Sequence, residues 1–493
     1  MSVGNVIPVA IESIEFFMRN VTMRLPFRYG KACLVAAPLF HARLVARCGE
    51  GATAYGASAD MLPPKWFDKS PDKSYRRNIS DLILAAKTGA QAYRDVGAQL
   101  RPAFDIWQEA CEVTLEAASL VGLNGLTGSF GSSIIERALI DATNKFAGMD
   151  FHSALRENVL GIDPGAVHDE LQGRQPREAV AVAPARSMFV RHTVGLGDPI
   201  HDADIAPGDR LDDGIPQSLE AWIREAGVRY FKIKVSADLD VDRARLTAIA
   251  RLLDEVLPGK YEVTLDGNEQ FPSCDALESW YAAFEYENGL RNLLERVIFI
   301  EQPIERAAAL SVEGTAGLDR AGDLPPVIID ESDDDVDSFK QAAALGYRGV
   351  SVKNCKGVFK GFLNKMLVDY YNGADGDGYL LSGEDLCNQP IVPLQQDLCA
   401  LSALGLTHTE RNGHHYCGTL AHVSPFELAD CLDTHGTLYE PFRDTARLRI
   451  RDGRINLVSL EQPGFGLGID PDYDHMTPLA DWEYESLGID EQE

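Results

Sequence analysis

Tyr230-Phe231-Lys232-Ile233-Lys234-Val235 sets two lysines inside a run of strand-forming apolar residues. Successive side chains of a strand point to opposite faces, so Lys232 and Lys234 share one face and Phe231, Ile233 and Val235 the other. A lysine pair on an inward face needs a polar cavity to receive it. The same texture recurs outward from this run. Leu265-Asp266-Gly267-Asn268, Ile300-Glu301-Gln302-Pro303 and Ile328-Ile329-Asp330-Glu331 each close an apolar run with a carboxylate, and the run 349–353 closes with Lys353. Strand-like segments at 189–194, 230–235, 261–266, 297–301, 327–330, 349–353, 379–382 and 406–410 alternate with helical patterns such as 241–257, 276–288 and 336–345. Eight βα units within about 250 residues predict a closed parallel barrel, with the strand C-terminal ends converging on one mouth.

The flanks read differently. Residues 11–56 alternate apolar and polar positions around a turn signal at Leu25-Pro26-Phe27-Arg28-Tyr29-Gly30, which predicts a small antiparallel sheet. Amphipathic helices follow at 79–93 and 132–146. We divide the chain into an α+β domain over 1–178, the barrel over 179–438 and a tail over 439–493. The tail has strand-like runs at 446–450 and 455–457 around Asp452-Gly453, a glycine-rich stretch at 463–468, and a path expected to return to the first domain. The acidic run Asp333-Asp334-Asp335 reads as a helix N-terminus favoured by the helix dipole rather than a metal site.

Composition narrows the function. At 493 residues the chain has room for two cores, and 45% hydrophobic with 25% charged residues is that of a soluble globular protein. No run reaches the length of a membrane span, and residues 1–20 carry Glu12 and Glu15 where a secretory signal would be basic and then apolar, so a cytoplasmic location is expected. A net charge of -29 argues against nucleic acid as a partner. It says little about a small anionic ligand, which a few focused cations or a metal can hold. Nine scattered cysteines without a CxxC pair suggest neither a disulfide framework nor zinc.

The chemistry lies at the expected mouth. Asp266, Glu301 and Asp330 on adjacent strands would repel one another without a cation among them, and oxygen donors suit magnesium. Lys232, Lys234 and Lys353 bracket them. A lysine near other cations and partly desolvated has a lowered pKa, as a general base requires, so Lys234 is the first candidate base and Lys353 would reach the cavity from the opposite side.

This set of motifs, in order, resembles the enolase superfamily in its mandelate racemase and muconate lactonizing enzyme branch. Lys-x-Lys, Asp-x-Asn, Glu-Gln-Pro, Asp-Glu and a lysine on the sixth strand look like the muconate lactonizing pattern, and Ile135-Glu136-Arg137-Ala138-Leu139-Ile140-Asp141 looks like a capping-domain helix. The resemblance implies a (β/α)8-type, TIM-like barrel with an N-terminal α+β capping domain completed by the C-terminal tail. It implies magnesium held by Asp266, Glu301 and Asp330, with Glu331 as an alternative third ligand, acid/base roles for Lys234 and Lys353, and Lys232 orienting the substrate carboxylate. Asn268 and Glu384 join the substrate-binding set. Capping loops at 25–30 and 51–58 would close over the barrel, with Phe27, Arg28 and Tyr29 touching the distal part of the substrate. The partner implied is a small-molecule carboxylate, and a homo-oligomer is expected.

The pattern departs from the racemase type at Ser382-Gly383-Glu384-Asp385, which lacks the histidine of a His-Asp dyad. The segment 407–417, with His408, Glu410, Arg411, His414 and His415, reads as a loop of solvent-exposed histidines ahead of a source of a substrate contact or second acid. Glu461-Gln462-Pro463 repeats the strand-four letters by chance. Two opposed lysines put a racemase, epimerase or cycloisomerase ahead of an acid-sugar dehydratase. A glycosidase using paired carboxylates has no use for three inward lysines. A catalytically inactive barrel serving as a binding module is the remaining alternative.

Overall fold

The computed structural model describes residues 6–29, 32–49, 51–320, 324–376 and 378–489. Gly30, the end of the expected 25–30 loop, and residues 1–5 lie outside them. Strands β1 (Pro8–Tyr29), β2 (Ala32–Cys48) and β3 (Ala52–Met61) form an antiparallel meander. The expected loop at Leu25 is strand: β1 runs on to Tyr29, with a register shift between Thr22, opposite Ala36, and Phe27, opposite Leu34. Pro26 and its neighbours thus make an irregularity inside a strand, a place where proline is tolerated. The 51–58 segment is likewise not a lid, because β3 pairs along its length with β2.

Three helices cover the sheet: α1 (Tyr75–Val96), α2 (Ala103–Leu120) and α3 (Gly125–Ala147). Helix α3 starts on the Asn124 side chain, which accepts from the Thr127 amide, and ends at Gly148 in the left-handed conformation. It is buried on nearly every side, because sheet, neighbouring helices, barrel and tail all pack on it. It crosses α1 where Gly89 meets Gly131; a Cβ on Gly89 would lie 2.1 Å from the Gly131 carbonyl oxygen, so only glycine permits this approach.

The barrel consists of β4 (Ser187–Val194), β5 (Tyr230–Lys234), β6 (Glu262–Asp266), β7 (Val297–Glu301), β8 (Val327–Ile329), β9 (Gly349–Val352), β10 (Leu380–Gly383) and β11 (His408–Arg411). All pair in parallel with their sequence neighbours, and β11 closes on β4 from His408 opposite Phe189 to Arg411 opposite His192. Each strand coincides with an apolar run read from the sequence. The tail forms a hairpin from β12 (Tyr439–Phe442) and β13 (Thr445–Leu448), then adds β14 (Arg454–Asn456) antiparallel to β4. It next reaches the first sheet, where the Phe465 amide donates to Asp141 of α3 at 2.7 Å and β15 (Thr477–Pro478) pairs with β1. No described helix is long and apolar enough to cross a membrane.

The helix motif at 135–141 ties these parts together. Arg137 makes a buried ion pair with Asp60 and donates to the Ala59 carbonyl. Asp141 accepts from the Ala57 amide of β3 as well as from Phe465, and Glu136 accepts from the Phe359 amide after β9 at 2.5 Å.

Candidate active site

The strand ends bring the carboxylates and lysines together. Lys234, Asp266 and Glu301 are register neighbours across β5, β6 and β7, so a single layer of the barrel presents all three. Lys234 Nζ donates to Asp266 Oδ2 at 2.5 Å, and Lys353, just past β9, donates to Asp330, just past β8. Burial alone would raise the acids of Asp266 and Asp330, but Lys232 and Lys234 hold Asp266 below the usual range, and Lys353 and Lys356 hold Asp330 well below it. The expected lowered lysine pKa is not found at Lys353: burial pulls it down, but the Asp330 carboxylate outweighs this and holds it above its ordinary value.

Lys232 is enclosed by carboxylates. Its Nζ donates to Glu301 Oε1 at 2.9 Å, Glu384 Oε2 at 2.8 Å and Glu410 Oε2 at 2.9 Å, and it stands 3.0 Å from Asp266 Oδ2. An ammonium has three protons, and all are engaged here. Glu384 accepts in addition from Ser382 and pairs with Arg191, which lies inside the barrel under this layer and over the Phe299 ring. The substrate-binding role expected for Glu384 is therefore corrected: its carboxylate is wholly buried beneath Lys232, and its neighbours Asp385, Leu386 and Cys387 line the cavity instead. Glu410 accepts from Thr193 at 2.7 Å and from the Asp385 amide at 3.0 Å.

A second tier supports Asp330. Lys356, buried, donates to Ser351 Oγ at 2.7 Å and to the carbonyls of Asp330 and Ser351, and stands 3.2 Å from Asp330 Oδ1. Lys356 and Lys360 also face Asp333, so the first residue of the acidic run is a buried counter-charge ahead of the helix at Ser338–Ala344. Lysines at 353, 356 and 360 are a signal of this tier that composition alone reads as solvated surface.

The first domain roofs the mouth. Phe27, Tyr29, Leu34, Pro63 and Trp66, joined by Leu386 of the barrel, face Lys232, Lys234, Lys353, Asn268, Glu410 and Asn412 across a cavity of about 30 Å³. Strand alternation turns Arg28 the other way, so it does not join Phe27 and Tyr29. It opens instead on a separate cleft of about 830 Å³ between β1 and the loop after β4. The covering segment that sequence reading missed is the one after β3. Trp66 lies with its ring centroid 4.4 Å from Lys353 Nζ. Arg306, from the barrel, donates to the carbonyls of Trp66 at 2.9 Å and Phe67 at 2.8 Å and is fixed by Glu269, while Lys69 reaches back to Glu269 and to Glu331 Oε1.

The histidines after β11 are buried, not solvent-exposed. His192 Nδ1 lies 3.0 Å from His414 Nε2, and the Trp222 indole donates to His415 Nδ1 at 2.9 Å. Burial lowers His192 and His415 to about 3 and His414 well below its ordinary value, so all three are neutral at pH 7. The same segment clamps β1: Tyr416 stacks on Phe27 with ring centroids 4.1 Å apart, and Arg24 donates to the His415 carbonyl at 3.0 Å.

Among the described residues no group of three or more His, Cys, Asp or Glu stands arranged to hold a metal ion. The donor chemistry nevertheless fits a hard divalent cation. Glu331 Oε2 is buried and accepts no hydrogen bond, and Glu301 Oε2 meets only the Lys232 ammonium, 2.7 Å away. Burial, with Asp266 and Glu384 beside it, pushes the Glu301 acid well above its ordinary value, and burial with Glu269 and Asp330 nearby raises Glu331 despite Lys69. The lysine beside each, Lys232 and Lys69, does not offset its burial among other carboxylates.

No protein-family description matches the chain, and no curated protein matches its sequence. Solved structures do match in fold. A dipeptide epimerase from Enterococcus faecalis V583, complexed with Mg and the dipeptide L-Leu-L-Tyr, is 12% identical, with 93% of this chain and 99% of that chain covered at a TM-score of 0.59. Muconate lactonizing enzyme from Pseudomonas fluorescens, complexed with muconolactone, is 19% identical over 94% and 97% at 0.57. 2-Chloromuconate cycloisomerase from Rhodococcus opacus 1CP is 15% identical over 94% and 98% at 0.58. The fold is the capped barrel that these solved structures share, the one that the resemblance of the strand-end motifs implied.

Proposed function

We propose that the chain is an enzyme of the enolase superfamily that removes the proton α to a substrate carboxylate, and that it is an isomerase: a racemase, an epimerase or a cycloisomerase. The observation that carries this reading is the placement of Lys234 and Lys353. They stand at the ends of the second and sixth barrel strands, open on one cavity, and are each tethered to one of the strand-end carboxylates.

In this reading Asp266, Glu301 and Asp330 hold magnesium, with Glu331 as the alternative third ligand. When bound, the ion supplies positive charge that stabilises the negative charge developing on the substrate carboxylate. Lys234, as the amine, takes the α-proton, and Lys353 returns one from the other side, which inverts the centre. Lys232 acts through the carboxylates that surround it, and the roof of Phe27, Tyr29 and Trp66 excludes water from the exchanging proton. Asn268 stands on the cavity wall, where it contacts the substrate. A homo-oligomer in the cytoplasm completes the proposal, and light scattering of the purified protein tests its first half.

The decisive experiment is proton NMR in deuterium oxide with magnesium and a pool of carboxylic acids. The reading expects α-deuterium incorporation that EDTA stops and that differs between wild type and Lys234→Ala. Exchange that persists unchanged in both conditions overturns it.

A further inference from the structure

We infer that the substrate is a carboxylate with an apolar body and a single hydrogen-bond donor, and not a polyhydroxylated sugar acid. This rests on the proton-abstraction reading and names the class of molecule that the same cavity takes. The roof offers almost nothing polar. Phe27, Leu34, Pro63, Trp66 and Leu386 present carbon, and the one hydroxyl, that of Tyr29, is already donated to the Pro64 carbonyl at 2.6 Å. A cavity of about 30 Å³ holds a couple of waters at most, so any larger occupant parts roof from floor and is received by those apolar faces. Hydroxyls along a sugar chain would lose water there without finding partners.

The charged groups are confined to the floor, where Lys234 and Lys353 each keep ammonium protons beyond the one on their carboxylate. Two amides stand on the wall, Asn268 and Asn412, and the second holds a buried orphan acceptor. Asn412 is buried at 2% exposure, its Nδ2 lies 3.4 Å from Glu410 Oε1, and its Oδ1 accepts no hydrogen bond. The Glu410 carboxylate can only accept, which fixes which end of the amide faces it and leaves Oδ1 as a free acceptor. A single N–H or O–H of the substrate satisfies it.

The test is isothermal titration calorimetry of the full chain with magnesium against three acids: N-acetyl-L-phenylalanine, 3-phenylpropanoate and D-gluconate. The expected order is N-acetyl-L-phenylalanine tightest, with D-gluconate weaker by about tenfold or more. Trp66→Ala weakens both aromatic acids and leaves gluconate unchanged. Asn412→Leu removes the advantage of the N-acetyl acid over 3-phenylpropanoate while leaving the affinity for 3-phenylpropanoate intact, a selective effect that a folding defect does not produce. Equal or tighter binding of gluconate overturns the inference, as does an Asn412→Leu effect common to all three acids. The companion readout separates the two levels. Magnesium-dependent α-deuteration of a sugar acid sinks the substrate class but keeps proton abstraction, whereas no binding of any acid and no α-exchange sinks both.

Discussion

The Lys353 ammonium lies 4.4 Å from the centroid of the Trp66 ring, so a lysine at the end of a barrel strand is covered by an aromatic side chain from the first domain. The contact joins two functions in one place. The indole shields the amine from water and, by its face, attracts the charged form with a strength of about 1 kcal/mol. Replacing Trp66 with alanine empties a buried aromatic volume and is expected to cost on the order of 3–5 kcal/mol in urea unfolding. Trp66→Phe should recover most of that stability. A loss below about 1 kcal/mol in Trp66→Ala would show that the roof is not packed as described.

Lys234 and Lys353 are expected to serve opposite faces of the substrate. Each alanine variant should therefore lower interconversion of the two antipodes by about 10²–10⁴-fold. Lys234→Ala should still exchange the α-proton of one antipode and Lys353→Ala that of the other. Chiral chromatography with deuterium counting distinguishes this from a one-base enzyme, in which one variant stays active towards both.

Magnesium should bind the native state alone and stabilise it. At a hundredfold excess over its dissociation constant the expected gain is about 2.7 kcal/mol, visible as a higher Tm. Glu301→Gln and Asp330→Asn should each abolish the gain. A Tm that magnesium leaves untouched in the wild type would remove the assignment of Asp266, Glu301 and Asp330 as ligands.

Glu136 sets a pH dependence of stability. Burial pushes its acid from the ordinary range to about 7, opposed by the Phe359 amide and Arg137. The native state thus holds the proton more tightly than the unfolded chain. The resulting stability is fully present below the unfolded value near 4.5 and is lost as pH rises through about 7, a change on the order of 3 kcal/mol. Glu136→Gln keeps an acceptor for Phe359, so its Tm should exceed that of the wild type at pH 8 and match it at pH 4.5. A wild-type Tm that rises between these pH values faster than that of the variant would contradict the burial of this acid.

The barrel and most of its mouth were legible from the chain because they depend on local order. Each apolar run ending in Asp266, Glu301, Asp330 or Lys353 is a strand whose last residue emerges at the C-terminal rim, and period-two alternation at 230–235 points both lysines inward. Long-range contacts were harder to read. Leu25-Pro26 carries the letters of a turn, yet pairing with β2 on both sides keeps it in a strand. His414 and His415 look like loop polarity, yet Trp222 and His192 pack them into the interior.

By itself, then, the sequence determined the succession of elements, the inward lysine pair and the three carboxylates, since hydrophobic period and strand-end charge act over a few residues. Only the tertiary structure decided that Lys232 is saturated by Glu384 and Glu410, 152 and 178 positions away along the chain. It also decided that Phe27 and Tyr29 face the cavity while Arg28 does not, and that Trp66 closes the roof. Those outcomes follow from which surfaces meet when two separately patterned layers are pressed together, where burying one charge requires a partner from whatever strand stands opposite.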